Sequence, residues 1–212
     1  MITLTAEQLR VLGTLLEKEM TTPDYYPMSL NSLTTACNQK NNREPVTNYD
    51  DATVIRTLDE LRHKGLTVEI SGSGRVKKYG HRISDTLNLS NRELALLAVM
   101  MLRGAQTVNE LRDRTERLFR FDDNEAVEAT LRKLCERTPD PLVVFIPKLP
   151  GMREPRYTHL LCGPVDVTAF EDIVVRRASP SVDHDRVAQL EHEVSELRQR
   201  VEKLEAVIQQ LM

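Results

Sequence analysis

Two adjacent pairs of acids, Asp50-Asp51 and Asp122-Asp123, have the type and spacing that could serve as metal ligands or as an acid–base couple. Neither pair has the company that chemistry needs. The five histidines (His63, His81, His159, His184 and His192) lie apart, and none neighbours a cysteine or a paired carboxylate at ligand spacing. Cys37, Cys135 and Cys162 are odd in number and make no CxxC, so a reducing cytoplasm is expected. No G-x-S-x-G, P-loop or GxGxxG occurs. Each acid pair instead precedes an apolar-periodic stretch, where an aspartate caps a helix. His81 and His159 fall on strand-like text and read as packing or surface residues. No catalytic residue, metal ligand or cofactor is assigned, and an enzyme is not expected.

The remaining chemistry is contact with anions. ACNQKNNREP (36–45) crowds Asn38, Gln39, Asn41 and Asn42 around Lys40 and Arg43. One reading makes it a polar loop whose Lys40 and Arg43 touch phosphate. The other makes Asn38 a left-handed helix end, with the amides satisfying loop backbone and Glu44-Pro45 turning the chain into the next helix. Further candidates follow: Thr53, Arg56 and Thr57 on that next helix, then Arg75, Lys77 and Lys78 beyond a Gly72-Ser-Gly74 turn. Arg112, Arg114, Arg117 and Arg120 form a second basic segment.

The elements that would position these residues are written twice. LTAEQLRVLGTLLEKE (4–19) matches LSNRELALLAVMMLRG (89–104), each opening on a hydroxyl cap (Thr5, Ser90) with an acid in the first turn. SLNSLTTA (29–36) matches TVNELRDR (107–114), and DDATVIRTLDEL (50–61) matches DDNEAVEATLRKL (122–134). Strand-like LTVEI (66–70) and LVVFI (142–146) follow, each with a turn and a return strand, KKYGHRI (77–83) or PRYTHLL (155–161). Lys64-Gly65 supplies a helix stop. The order helix, helix, helix, strand, turn, strand predicts an α+β, mainly α chain: a winged helix over 1–88 and another over 89–162, each with its own apolar centre.

The tail reads as a linker over 163–185 and a coiled-coil helix over 186–212. Val187, Leu190, Val194, Leu197, Val201, Leu204, Ile208 and Leu211 alternate by three and four. β-branched residues alternate with leucine, the choice that favours a parallel two-stranded coil. The flanking pairs Arg186–Glu191, Glu193–Arg198 and Arg200–Glu205 are attractive only in the parallel pairing, so a parallel homodimer is expected. A helix folded back on its own domains is the alternative.

Net charge is −3, and no global basic field draws the chain to nucleic acid. Residues 1–88 carry 11 basic and 11 acidic side chains, and 89–166 carry 12 of each. The longest apolar run, LALLAVMML (94–102), is about half a membrane span, and MITLTAEQLR lacks signal-peptide character. No membrane partner is expected.

LLEK (15–18), TTP (21–23), YP (26–27), TACNQK (35–40), NREPV (42–46), LRGAQT (102–107), ELR (110–112) and RY.HL (156–160), with heptads in a C-terminal helix, resemble the YceH-like family of uncharacterised bacterial proteins. The resemblance covers nearly the whole chain. It implies tandem winged helices and a cytoplasmic location, and it carries no catalytic or ligand residue across.

Two functions stay open. One is a dimeric DNA-binding protein, of the transcriptional-regulator kind, working mainly through the first domain and its basic wing. The other is a scaffold whose tandem winged helices grip partner helices. Against the first stand Asp50 and Asp51 at the start of one presumed recognition helix, and Asp122, Asp123, Glu125 and Glu128 along the other, where carboxylates repel phosphates.

Overall fold

The structure, a computed structural model, describes residues 2–70 and 76–165. The heptad residues Val187 to Leu211 and Arg75 therefore lie outside the described residues. Among the described ones the chain is α+β and mainly helical, with two small antiparallel sheets.

The longer helices start where a cap dictates. Helix α1 (Ala6–Thr21) opens on a reciprocal box: Gln8 N–H donates to Thr5 Oγ1 at 3.3 Å, and Thr5 N–H donates to Gln8 Oε1 at 3.2 Å. A short strand β1 (Met28–Ser29) leads into α2 (Leu30–Cys37), capped by Ser29. Asp50 accepts from Thr53 N–H at 2.8 Å and opens α3 (Asp51–His63). That helix stops at Gly65, whose φ of 72° is left-handed. Strands β2 (Thr67–Ile70) and β3 (Lys78–His81) pair antiparallel, and β1 joins the other edge of β3. A five-residue helix, α4 (Ile83–Leu87), then leads to the second copy. Neither β1 nor α4 is legible in the sequence pattern, because both are too short to show a period.

The second copy repeats the order. It comprises α5 (Asn91–Arg103), α6 (Val108–Thr115) behind a Thr107/Glu110 capping box, and α7 (Asn124–Cys135) capped by Asp123, then β4 (Val143–Ile146) and β5 (Arg156–His159). The correspondence extends to register. Tyr79 faces Glu69 and Met28, while Tyr157 faces Phe145 and bridges to Gln106. His81 faces Thr67, and His159 faces Val143.

The two copies do not keep separate apolar centres. Residues 8–17 of α1 and 93–102 of α5 are buried on every face, which marks helices enclosed by protein on all sides. They pack on each other, with Gly13 of α1 against Met101 and Leu102 of α5. One cluster of buried residues runs from Leu4 to Leu161. Leu12, Leu15, Leu16, Leu96, Leu97 and Met100 are fully enclosed, each worth about 1.5–3 kcal/mol of apolar burial. Backbone bonds Leu4 N to Leu161 O (2.7 Å) and Glu44 N to Leu102 O (2.8 Å) stitch the halves together. The physical reason lies in α5: its residues 94–102 are apolar without a break, so that stretch has no solvent face to keep and must be covered on all sides.

The run LALLAVMML is this buried α5, and among the described residues no helix is long and apolar enough to cross a membrane.

Both return-strand histidines are buried. Burial pushes His159 down to about 4. Burial also lowers His81, against the pull of Glu19, whose carboxylate lies 2.5 Å from Nε2. That contact is accordingly a hydrogen bond from a neutral imidazole at neutral pH. With both folded-state values depressed, the unfolded chain takes up protons first. The stabilisation is whole above about pH 6.5 and is lost as pH falls toward 4. Melting temperature should fall over that window, and that of His159→Leu should fall less. Parallel curves for the two proteins would mean that His159 does not set the pH dependence.

Candidate nucleic-acid interface

The loop between α2 and α3 satisfies itself. Asn38 Nδ2 donates to Tyr49 O at 2.7 Å while its Oδ1 accepts Tyr49 N–H at 2.8 Å, clasping the loop at its base. Thr47 Oγ1 donates to Cys37 O, and Arg10 donates to Cys37 O and Pro45 O. Asn38 itself sits at φ −91° and ψ 10°, so the expected left-handed end is not there. Asn42, at φ 62°, takes that conformation instead, which asparagine tolerates better than most residues.

Arg43 is a correction. Its side chain is 0% exposed, and its guanidinium clasps Glu17 of α1 with contacts of 2.6 Å and 3.1 Å. It also donates to Ala36 O. Burial alone would raise the Glu17 carboxyl, but the Arg43 bond and charge, with Lys18, hold it below the usual range. A guanidinium so enclosed cannot reach a phosphate. It pins the loop to α1. Sequence reasoning missed this because Glu17 lies one helix and a loop away, with no periodic signal linking the two.

Thr57 is a second correction. It is 1% exposed and donates to Thr53 O inside the helix, so it faces the core. Thr53 is half-buried, with its N–H held by Asp50. Arg56 remains available on α3, its side chain 67% exposed and only loosely paired with Glu60 at 4.0 Å. Lys77 and Lys78 are exposed at the start of β3. Lys77 lies 3.0 Å from Glu69, which Arg62 also approaches at 3.6 Å, while Lys78 has no ionic partner among the described residues. Arg56, Lys77 and Lys78 are thus the described cations that α3 and the hairpin present to solvent from the expected set. Asp50 caps α3, and Asp51, in its first turn, accepts the Thr34 hydroxyl at 2.5 Å.

Lys40 points elsewhere. With Gln39, Asn41 and Asn42 it lines a cleft of about 570 Å³ whose other walls are the ends of α1 and α5 and the Asp113–Leu118 segment. Among the described residues no group of three His, Cys, Asp or Glu is placed to hold a metal ion.

A family profile described as "Protein of unknown function, DUF480" matches residues 4–152. The chain is 53% identical over 205 residues to a UPF0502 protein of Solibacter usitatus, covering 94% of this chain and 95% of that one. It is 48% identical to the UPF0502 protein GSU0233 of Geobacter sulfurreducens, covering 90% and 88%, and 47% identical to VPA1223 of Vibrio parahaemolyticus, covering 100% and 99%.

Proposed function

The chain belongs to the DUF480 family, and on that premise we propose that it is a dimeric DNA-binding protein of tandem winged-helix architecture, acting in the cytoplasm by binding rather than catalysis. The family assigns no activity, so the support comes from geometry. The observation that carries the reading is the twice-written order of three capped helices and an antiparallel hairpin. In the first copy this leaves Arg56 on α3 and Lys77 and Lys78 on the hairpin open to solvent. In a helix-turn-helix docking, α3 approaches the major groove and the hairpin reaches the adjacent backbone. A transcriptional regulator is the role such a dimer suits.

Duplex DNA should bind weakly to the full chain, with a log-affinity against log-salt slope steeper than about −3. Replacing Arg75, Lys77 and Lys78 with alanine should flatten that slope by about one unit for each phosphate no longer neutralised. An unchanged slope takes the hairpin out of the interface.

The dimer rests on the heptad pattern of residues 186–212. Deleting residues 183–212 should convert dimers to monomers in sedimentation, and a dimer that survives the deletion rules out the tail as its cause.

A second reading, a scaffold that grips a partner protein, is favoured by apolar exposure near the same elements. Ile55 on α3 is 40% exposed, Ile70 40% and Val76 63%. Nuclease treatment during affinity capture separates the two, since only a DNA tether is then destroyed.

A further inference from the structure

The cleft that holds Lys40 has a charge imbalance that neither the fold nor DNA binding uses. Five cations line it: Lys18, Lys40, Arg103, Arg114 and Arg117. The two carboxylates in its walls are already engaged, Glu17 by Arg43 at 2.6 Å and Asp113 by Arg112 at 3.4 Å. Arg114 shares Glu110 with Arg156, and Arg103 is held by the side-chain oxygen of Asn42. Lys40 and Arg117 have no partner among the described residues. The ends of α1 and α5 contribute a negative dipole charge of roughly half a unit each, which is too little to offset the surplus.

Cations so close together are costly when nothing lies between them. Burial first, then the neighbouring Arg114 guanidinium, lowers Arg103 from its ordinary range, with Glu17 pulling the other way. The remaining lining is suited to an organic anion. Val99, Leu102 and Leu118 supply apolar surface, and Gln39, Asn41 and Asn42 supply amides. The volume, about 570 Å³, lies within the range of small-molecule sites, about 300–1,000 Å³. The loop that forms one wall is fixed in advance by the Asn38–Tyr49 clasp and the Arg43–Glu17 pair, so little ordering cost remains for a ligand. The segments LLEK, TTP, TACNQK, NREPV and LRGAQT each place at least one residue on this wall.

We infer that this cleft binds a phosphorylated small molecule of nucleotide size, its phosphates on Lys40, Arg103, Arg114 and Arg117 and its organic part against Val99, Leu102 and Leu118. The inference does not depend on DNA binding. It gives the protein a ligand site placed where the two copies meet.

The test is titration calorimetry of the full chain with ADP and with inorganic pyrophosphate, at two salt concentrations, beside the double variant Lys40→Gln/Arg117→Gln. Neither residue has a partner among the described residues, so the unliganded variant should melt no lower than the parent. Saturable binding of ADP that weakens with salt, and at least about tenfold in the variant, is the expected result. No saturable binding of either ligand at millimolar concentration overturns the proposal, as does ADP binding that the variant leaves unaltered. A third arm uses duplex DNA. If DNA displaces ADP and itself binds about tenfold more weakly to the variant, the cleft is a nucleic-acid groove and the small-ligand assignment is wrong.

Discussion

Replacing Arg43 with alanine should lower stability by about 3–5 kcal/mol. Melting temperature would then fall by roughly 10 °C for a chain of this size. The cost comes from what stays behind. Glu17 would keep its place on a buried face of α1 with only Lys18, at 3.4 Å, to answer its charge. Ala36 O would also be left without its donors from the guanidinium. The pair's contribution follows the depressed carboxyl of Glu17. It is present above the ordinary glutamate value of about 4.3 and is lost as pH falls through the lower folded value. Substituting both partners with apolar residues of similar volume should recover part of the stability, because no charge is then stranded. An Arg43→Ala protein that melts with the parent would mean the guanidinium is free, and would return it to the set of anion-binding residues.

A valine at position 13 should also be damaging, for a steric reason. A Cβ at Gly13 would lie 3.1 Å from Met101 Cβ and 3.2 Å from Leu102 Cγ and Cδ2. The two helices touch along their apolar lengths, so separating them would open gaps beside Leu12, Leu16 and Met100, all fully enclosed. Overpacking of this kind costs about 1–3 kcal/mol, and the branched methyls of valine make relief by rotation difficult. Alanine is the informative control. Its helix propensity gains about 1 kcal/mol over glycine, which roughly offsets the few tenths of an ångström Met101 and Leu102 must yield. Urea unfolding should therefore place Gly13→Ala near the parent and Gly13→Val well below it, with the same m-value. Equal midpoints for parent and valine variant would mean that α1 and α5 do not share a core.

These two residues show where reading along the chain succeeds and where it stops. Thr5, Ser90, Asp50 and Asp123 cap helices as expected, because a cap is settled within three residues of itself. The strand pairs and the Tyr79/Tyr157 and His81/His159 correspondence are equally legible, since a hairpin needs only neighbouring text. Arg43 is different. In sequence it is one more basic residue in a polar loop, like Lys40. Lys40 is exposed and Arg43 is enclosed because Glu17, 26 positions earlier, comes to rest beneath the loop.

By itself, then, the sequence determined the family, the α+β composition, the caps and the duplicated order of elements, all set by contacts local in the chain or by likeness to known chains. Tertiary structure alone decided that α1 and α5 are enclosed in a single core rather than two, that Arg43 and Thr57 face inward, and that cations from four separate segments surround one cleft. Those outcomes depend on which distant surfaces meet. Helical period and residue type say which face is apolar, but not which apolar face it will cover.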